Sequence, residues 1–113
     1  MKIRGDSAEQ LAADYLQEQG LQLVTRNYHC RFGEIDLIMQ EQKTLVFVEV
    51  RLRSHAQFGG AIASITPSKQ SRLLRTAEHY LQRHGDAACR FDAILMEQLD
   101  SASIQWIKDA FSA

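Results

Sequence analysis

Two acidic residues lie in stretches of the sequence that are typical of β-strands. Asp36 belongs to the segment 34–39, which alternates with period two, and Glu49 interrupts the apolar run 45–52, rich in β-branched and aromatic residues. A carboxylate inside such a strand needs a partner, because charged groups are rarely left alone in apolar surroundings. Alternation assigns one face of the first segment to Ile35, Leu37 and Met39, and the other face to Glu34, Asp36 and Ile38.

The polar residues 40–44 are few enough to join the two strands as a hairpin. A turn closed symmetrically about Gln42 and Lys43 places Asp36 opposite Glu49, whereas a loop of odd length would put the acids on opposite faces. Opposed residues have Cβ atoms about 4.5–5.5 Å apart. Two carboxylates at that separation repel each other unless a positive group lies between them, and a divalent cation with oxygen ligands meets this need.

Arg51 follows Glu49 by two residues and therefore projects from the same face of the strand. The pattern predicts a cluster of Asp36, Glu49 and Arg51. A simpler alternative is an ion pair between Glu49 and Arg51 on an edge strand, with Asp36 solvated at a strand end. Such a pair contributes little to stability, and the local pattern admits both interpretations.

The first helix is predicted from Ser7 to Gln19, with Gly20 as its C-terminal cap. Asp6 is the expected N-cap, and Glu9, three positions later, would complete a capping box. On these grounds Glu9 has a sufficient structural role at the start of the helix.

The second helix is predicted from Pro67 to His84, since Thr66 can cap it, Pro67 suits the first helical position and Gly85 follows the last turn. One face is apolar. The other is predicted to form a basic ridge at spacings of three and four, which could follow a phosphate backbone or could be an ordinary solvated face. The ridge consists of Lys69, Arg72, Thr76, His79 and Arg83.

Further strands are predicted over 21–27, from Cys89 to Met96 and from Ser103 to Ile107. The unit formed by the strand ending at Leu52, the second helix and the strand at Cys89 predicts a right-handed crossover with parallel pairing. The intervening loop, 53–65, holds His55, Phe58 and two glycines near the acids.

Length and composition predict one domain spanning residues 1–113. The net charge of −1 gives no argument for nucleic-acid binding from composition alone. Cys30 and Cys89 lack metal-ligand or disulfide spacing and are expected to be buried free thiols. The sequence contains no apolar stretch of membrane-spanning length, and a soluble, cytoplasmic protein is expected.

Several segments together closely resemble the YraN family of small bacterial proteins, and the resemblance covers nearly the whole chain. They are the first-helix glutamate, GEIDLI, VFVEVR, FGGA, TPSKQ, RFDAILM and IQWIKDAF. That family is regarded as a divergent branch of the PD-(D/E)XK nucleases, similar in core to archaeal Holliday junction resolvases. The resemblance implies an α/β fold with a restriction-endonuclease-like αβββαβ core, a mixed sheet flanked by helices, which agrees with the predicted element order.

By this resemblance Asp36, Glu49 and Glu9 would hold Mg²⁺ or Mn²⁺, and Asp36, Glu49 and Arg51 would form the catalytic group. Arg51 stands where the superfamily motif has lysine, so it is expected to clamp phosphate and stabilise charge, since arginine cannot act as a base. The expected nucleic-acid contacts are Arg53, Lys69, Gln70, Arg72 and His79.

The expected activity is weak, metal-dependent hydrolysis of phosphodiester bonds in DNA, at branched or single-stranded structures. A resolvase-like role would call for a two-fold homodimer. One alternative is a protein that binds DNA or a DNA-processing partner without cutting, which the arginine in place of lysine favours. Another is a protein-interaction module without nucleic acid, which the near-neutral charge favours.

Overall fold

The computed structural model describes residues 3–52 and 65–112. They form an α/β fold in which a mixed five-stranded sheet of order β1-β2-β3-β4-β5 carries two helices, compatible with the core of restriction endonucleases. The elements are α1 (Ile3–Glu18), β1 (Gln22–Cys30), β2 (Gly33–Glu41), β3 (Thr44–Leu52), α2 (Pro67–His84), β4 (Cys89–Met96), a short 3-10 helix (Ser101–Ser103) and β5 (Gln105–Phe111).

The predicted hairpin between β2 and β3 is confirmed. Glu41 pairs with Thr44 in an antiparallel ladder, so the turn contains only Gln42 and Lys43. Gln42 adopts a positive φ of 55°, which supplies the left-handed turn that usually favours Gly or Asn. Strand β3 then runs parallel to β4, as the predicted crossover requires.

The core consists of two clusters of buried side chains. One joins α1 to Leu37, Met39, Val46 and Val48, and the other joins α2 to Phe47 and to Phe91, Ala93 and Leu95 of β4. Because Phe47 lies between Val46 and Val48 in a strand, the clusters occupy opposite faces of the sheet. Each fully buried apolar side chain contributes about 1.5–3 kcal/mol relative to an exposed one, so the sheet that positions the acids is held from both sides.

The predicted alternation along β2 is wrong at Ile35. This residue packs in the α2 cluster with Ile38, whereas Leu37 and Met39 pack in the α1 cluster. The ladder between β2 and β3 ends at the pair Leu37 and Val48, while β2 remains paired with β1 through Ile35. The period therefore breaks at Asp36, between the part of β2 that is paired with both neighbours and the part that is paired only with β1.

The predicted start of α1 is also wrong. The helix begins at Ile3, so Asp6 is not its N-cap and Glu9 is not part of a capping box. Glu9 is instead buried on the inner side of the helix. By contrast, the predicted bounds of α2 are confirmed, with the Lys69 N–H donating to Thr66 Oγ1 at 3.2 Å.

The remaining local predictions differ in their limits. Strand β1 continues to Cys30, and β5 begins later and runs further than predicted. Both thiols are free, but Cys30 is half-buried and Cys89 is exposed, which corrects the expectation of buried thiols. None of the helices in the described ranges is long and apolar enough to span a membrane.

Candidate active site

Asp36 lies where β2 and β3 separate. Its Oδ2 accepts a hydrogen bond from the Val50 backbone N–H at 2.8 Å. The regular ladder between these strands has already ended at Leu37 and Val48, so the side chain of Asp36 provides a contact across the gap. The carboxyl group is thereby fixed in place by the backbone of the opposite strand.

Glu49 meets Asp36 in this gap, and the two side chains are hydrogen-bonded. Glu9 reaches the same place from α1 and also hydrogen-bonds Asp36. Two carboxyl groups can share a hydrogen bond only if one of them carries a proton. The three acids, which come from two strands and a helix, therefore form a carboxyl cluster in which Asp36 and Glu49 share a proton.

Burial determines the acidity of this cluster. Burial raises the pKa of Asp36, although hydrogen bonds from Val50 and Glu49 act in the opposite direction. Burial and the neighbouring Asp36 raise the pKa of Glu49 to about 7, against the lowering effect of Arg51. Near neutral pH, Glu49 is consequently poised between its charged and neutral forms.

Arg51 lies against Glu49, with Nη2 at 2.9 Å from Oε2. Its side chain is 20% exposed. The buried Nε atom of Arg51 has no hydrogen-bond partner within the described part of the chain. Because a guanidinium group donates through several N–H groups in a fixed plane, Arg51 can hold Glu49 and still present a donor to an anion.

Asp36 and Glu49 line an open cleft with a volume of about 820 Å³. Asp36, Glu49 and Arg51 lie at one part of its wall, and Lys69 and Arg72 of α2 line another. Lys69 is close enough to lower the pKa of Glu49 by charge attraction. The cleft therefore combines a carboxyl cluster with cationic side chains from two separate elements.

The donor chemistry of the cluster fits a hard divalent cation, since all three groups offer carboxylate oxygens. In the structure, however, Asp36 is engaged with Glu49, with Glu9 and with the Val50 N–H. Across residues 3–52 and 65–112, no group of three or more His, Cys, Asp or Glu side chains has the arrangement of a metal centre. Binding of a cation would thus require the acids to lose their shared proton and turn their oxygens towards the ion.

The predicted basic ridge is not continuous. Thr76 is fully buried and donates to the Arg72 backbone carbonyl at 2.8 Å. His79 bonds the Tyr28 hydroxyl at 2.6 Å, and Arg83 is exposed at the end of the helix. Of this set, Lys69 and Arg72 line the cleft, whereas Thr76, His79 and Arg83 do not.

The other predicted contact residues have different positions. Gln70 donates through Nε2 to the Ile65 carbonyl at 3.0 Å and steadies the start of α2. Arg53, His55 and Phe58 lie outside the described residues. Of the predicted nucleic-acid contacts, Lys69 and Arg72 are thus the two that the structure brings to the acids.

The β1–β2 turn also contributes to the cleft, and the sequence analysis did not predict the part played by its aromatic residue, Phe32. Arg31 and Phe32 form this two-residue turn between the paired residues Cys30 and Gly33, and all four line the cleft. His29 and Glu34 follow at the next pair and lie 3.2 Å apart between Nδ1 and Oε2. The presence of an aromatic residue beside an arginine at a glycine turn was the available signal.

Comparison with known proteins assigns this sequence to a family. The model of the "Uncharacterised protein family UPF0102" matches residues 8–96, a range that contains Glu9, Asp36, Glu49 and all of α2. The chain belongs to the UPF0102 family. This is the YraN family that the sequence resembles.

Several UPF0102 proteins are similar over almost their full length. One from Methylobacillus flagellatus is 63% identical over 113 residues and covers 100% of both chains. One from Nitrosomonas europaea is 61% identical over 109 residues, 96% of this chain and 92% of the relative. One from Nitrosococcus oceani is 54% identical over 112 residues, 96% of this chain and 90% of the relative. The UPF0102 assignment therefore applies to the chain as a whole.

Proposed function

We propose that this UPF0102 protein is a metal-dependent endonuclease that hydrolyses phosphodiester bonds in DNA. The observation that carries the proposal is the meeting of Asp36 and Glu49 beside Arg51 in an open cleft. Partly buried acids that share a proton are costly to maintain for stability alone, and perturbed carboxyls in a cleft are typical of functional sites. The resemblance to PD-(D/E)XK nucleases supports the same chemistry.

Asp36 and Glu49, with Glu9 behind Asp36, would hold Mg²⁺ or Mn²⁺. The bound ion would supply a more acidic water and would offset negative charge on the phosphate. Glu49 would lose its proton to serve as a ligand. Because its pKa is about 7, this deprotonation costs little free energy at neutral pH. Before an ion binds, the Val50 N–H holds Asp36 in place.

Arg51 would clamp a non-bridging phosphate oxygen rather than remove a proton. Its guanidinium is protonated at all physiological pH values, so it stabilises charge but does not activate water. The Arg51 side chain lines the cleft beside Glu49 and is placed to supply the donors for this contact. Lys69 and Arg72 would bind phosphates further along the strand.

The proposed substrate is branched or single-stranded DNA. The chain has a net charge of −1, so affinity would come from the cations of the cleft rather than from the protein as a whole. Symmetric cutting of a four-way junction would additionally require two copies related by a two-fold axis.

A second candidate function is DNA binding without cleavage. Two observations favour it: Arg51 is already paired with Glu49, and the acids satisfy one another instead of forming an open metal centre in the described ranges. The cationic wall of the cleft would then retain DNA, while the carboxyl cluster would have a structural role.

The test uses a radiolabelled four-way junction, a flap, a single strand and a matched duplex. Each is incubated with Mg²⁺ or Mn²⁺, and separately with EDTA. We expect cutting of the branched or single-stranded substrates only with a divalent ion. We also expect Asp36→Asn and Glu49→Gln to lower the rate by at least about 100-fold, because each removes an anionic ligand.

Glu78→Gln is the matched control, since Glu78 is an exposed glutamate of α2 that does not line the cleft. It should cut like the unaltered protein. Cleavage that persists in Glu49→Gln would show that a contaminating nuclease is responsible. Binding of the same substrates with no cleavage under any condition would favour the second candidate function.

A further inference from the structure

The β1–β2 turn places a cationic and an aromatic side chain next to each other at the surface. Arg31 is exposed and Phe32 is half-buried. The guanidinium carbon of Arg31 lies 4.9 Å from the centre of the Phe32 ring. This arrangement places a planar cation over a π-face at the tip of a hairpin, where polar turn residues are more usual.

The turn is held in place from below. The Phe32 N–H donates to Cys30 Sγ at 3.4 Å. The Phe32 ring meets the His79 ring edge-on at 6.4 Å, and His79 is itself fixed by the Tyr28 hydroxyl at 2.6 Å. A surface built in this way is preorganised, so a ligand that binds to it loses less free energy in ordering the protein.

The same turn opens into the cleft that contains the acids. Phe32 and Arg31 line it together with Asp36, Lys69 and Arg72. Phe32 precedes Asp36 by four residues, which is about 13 Å along a strand at 3.3 Å per residue. A nucleic-acid strand with one phosphate at Asp36 would therefore reach the turn within a few nucleotides.

We infer that Arg31 and Phe32 form a subsite that stacks an unpaired DNA base next to a phosphate held by Arg51 beside the carboxyl cluster. Aromatic and guanidinium planes stack nucleobases of any sequence, and neighbouring cations bind the backbone. A base inside a duplex has both faces covered by its neighbours and is unable to enter this stack. The inference rests on the proposed function for the position of the cut, and it identifies the substrate as DNA with a single-stranded segment beside that position.

The test measures binding of oligo(dT) containing one 2-aminopurine, and of the same oligonucleotide in a duplex, with EDTA present so that no DNA is cut. We expect tighter binding of the single strand and quenching of 2-aminopurine when it stacks. Phe32→Leu should weaken single-strand binding by about five- to fifty-fold. It should change duplex binding by less than about twofold, because a duplex does not use the stack.

Two further variants separate stacking from charge and from folding. Phe32→Tyr keeps an aromatic plane and should restore binding and quenching. Arg31→Gln should lower quenching, whereas Arg75→Gln removes an exposed charge of α2 outside the cleft and should leave quenching unchanged.

Equal weakening of single-strand and duplex binding in Phe32→Leu would overturn the subsite, as would a single strand that does not bind at all. Failure of Phe32→Tyr to restore quenching, in a protein with an unaltered melting temperature, would overturn it too. Cleavage with Mg²⁺ is measured separately. Selective weakening by Phe32→Leu in a protein that cuts nothing would leave the subsite standing and contradict only the proposed hydrolysis.

Discussion

Glu49 combines a buried position, a second acid and an arginine partner, so its proton affects both stability and metal binding. Its pKa rises on folding from 4.5 to about 7. The folded state therefore binds the proton more tightly than the unfolded chain does. The contribution of this proton to the unfolding free energy is fully present below about pH 4.5 and is lost as the pH rises through about 7. The total loss is on the order of 3 kcal/mol at most.

This predicts that, in EDTA, part of the decrease in unfolding free energy between pH 4.5 and 7 is absent in Glu49→Gln. Urea denaturation followed by the fluorescence of Trp106, the single tryptophan, measures the difference. Glu78→Gln should retain the pH dependence of the unaltered protein. An identical pH dependence in Glu49→Gln would show that Glu49 is not the group that binds the proton.

Substitutions of Arg51 test whether this residue stabilises charge on the phosphate or removes a proton. Arg51→Gln should lower the cleavage rate by about 100-fold or more, because a donor to the charged phosphate is lost. Arg51→Lys keeps the charge but lacks the planar guanidinium group, so its rate should lie between those of the unaltered protein and Arg51→Gln. Initial rates from pH 6 to 9 provide the measurement. A rate unchanged in Arg51→Gln would exclude Arg51 from the clamp.

Residue patterns predicted that Asp36 and Glu49 meet, because a two-residue turn fixes the register of the hairpin that carries them. They did not predict that the ladder ends at Leu37 and Val48, so that the two acids meet where the strands separate and not as a ladder pair. They did not predict the burial of Glu9. Asp6 and Glu9 match a capping box, which is a local signal, whereas the actual position of Glu9 depends on how α1 packs against the sheet. The contact from Val50 to Asp36 was equally inaccessible, because it exists only where two strands separate.

At the level of elements, the β1–β2 turn depends on Gly33, whose φ is 145°. A Cβ at this position would lie 3.5 Å from Thr76 Oγ1 and 3.8 Å from Arg72 Cβ, which is ordinary contact distance. Gly33→Ala should therefore lower the unfolding free energy by about 1–3 kcal/mol through backbone strain, without a clash. Thermal and urea denaturation measure this loss.

Gly20 offers a matched comparison, since it also has a positive φ, of 100°, and open space around its Cβ position. Gly20→Ala should cost a similar free energy without altering DNA binding. A neutral Gly33→Ala would contradict the strain argument. The bounds of α2 were predictable because Thr66, Pro67 and Gly85 are local signals, while the position of its basic residues depended on which turn of the helix faces the cleft.

At the scale of the whole molecule, Asp92, a fully buried acid of β4, connects neighbouring parts of the sheet. It pairs with Arg90, which also binds Glu41 at 2.7 Å, and it accepts hydrogen bonds from Trp106 Nε1 and the Asp109 N–H, both at 2.9 Å. Asp92→Asn should lower the unfolding free energy by about 3 kcal/mol or more, because it leaves Arg90 partly unpaired. Cleavage per folded molecule, measured with Mg²⁺ at 15 °C, should be unchanged. A stable Asp92→Asn protein would contradict this role.

The positive and negative charges of the whole molecule almost cancel, so the salt dependence of DNA binding should reflect only the charged residues of the cleft. The logarithm of the single-strand affinity should fall linearly with the logarithm of salt concentration. Lys69→Gln and Arg72→Gln should each reduce the slope by about 0.7, the value for one phosphate contact on a single strand. Arg83→Gln, at the far end of α2, should not change it. Equal slopes in all variants would place the DNA elsewhere.

The hydrogen bond from Val50 to Asp36 gives the protein a built-in reporter. This amide is protected by a side chain rather than by a neighbouring backbone carbonyl, so its exchange with deuterium follows the state of that carboxyl group. A ligand that draws the Asp36 oxygen away would speed the labelling of one amide and leave the adjoining ladder unaffected. Occupancy of the site can in this way be followed by NMR in a protein that carries no dye and turns over no substrate.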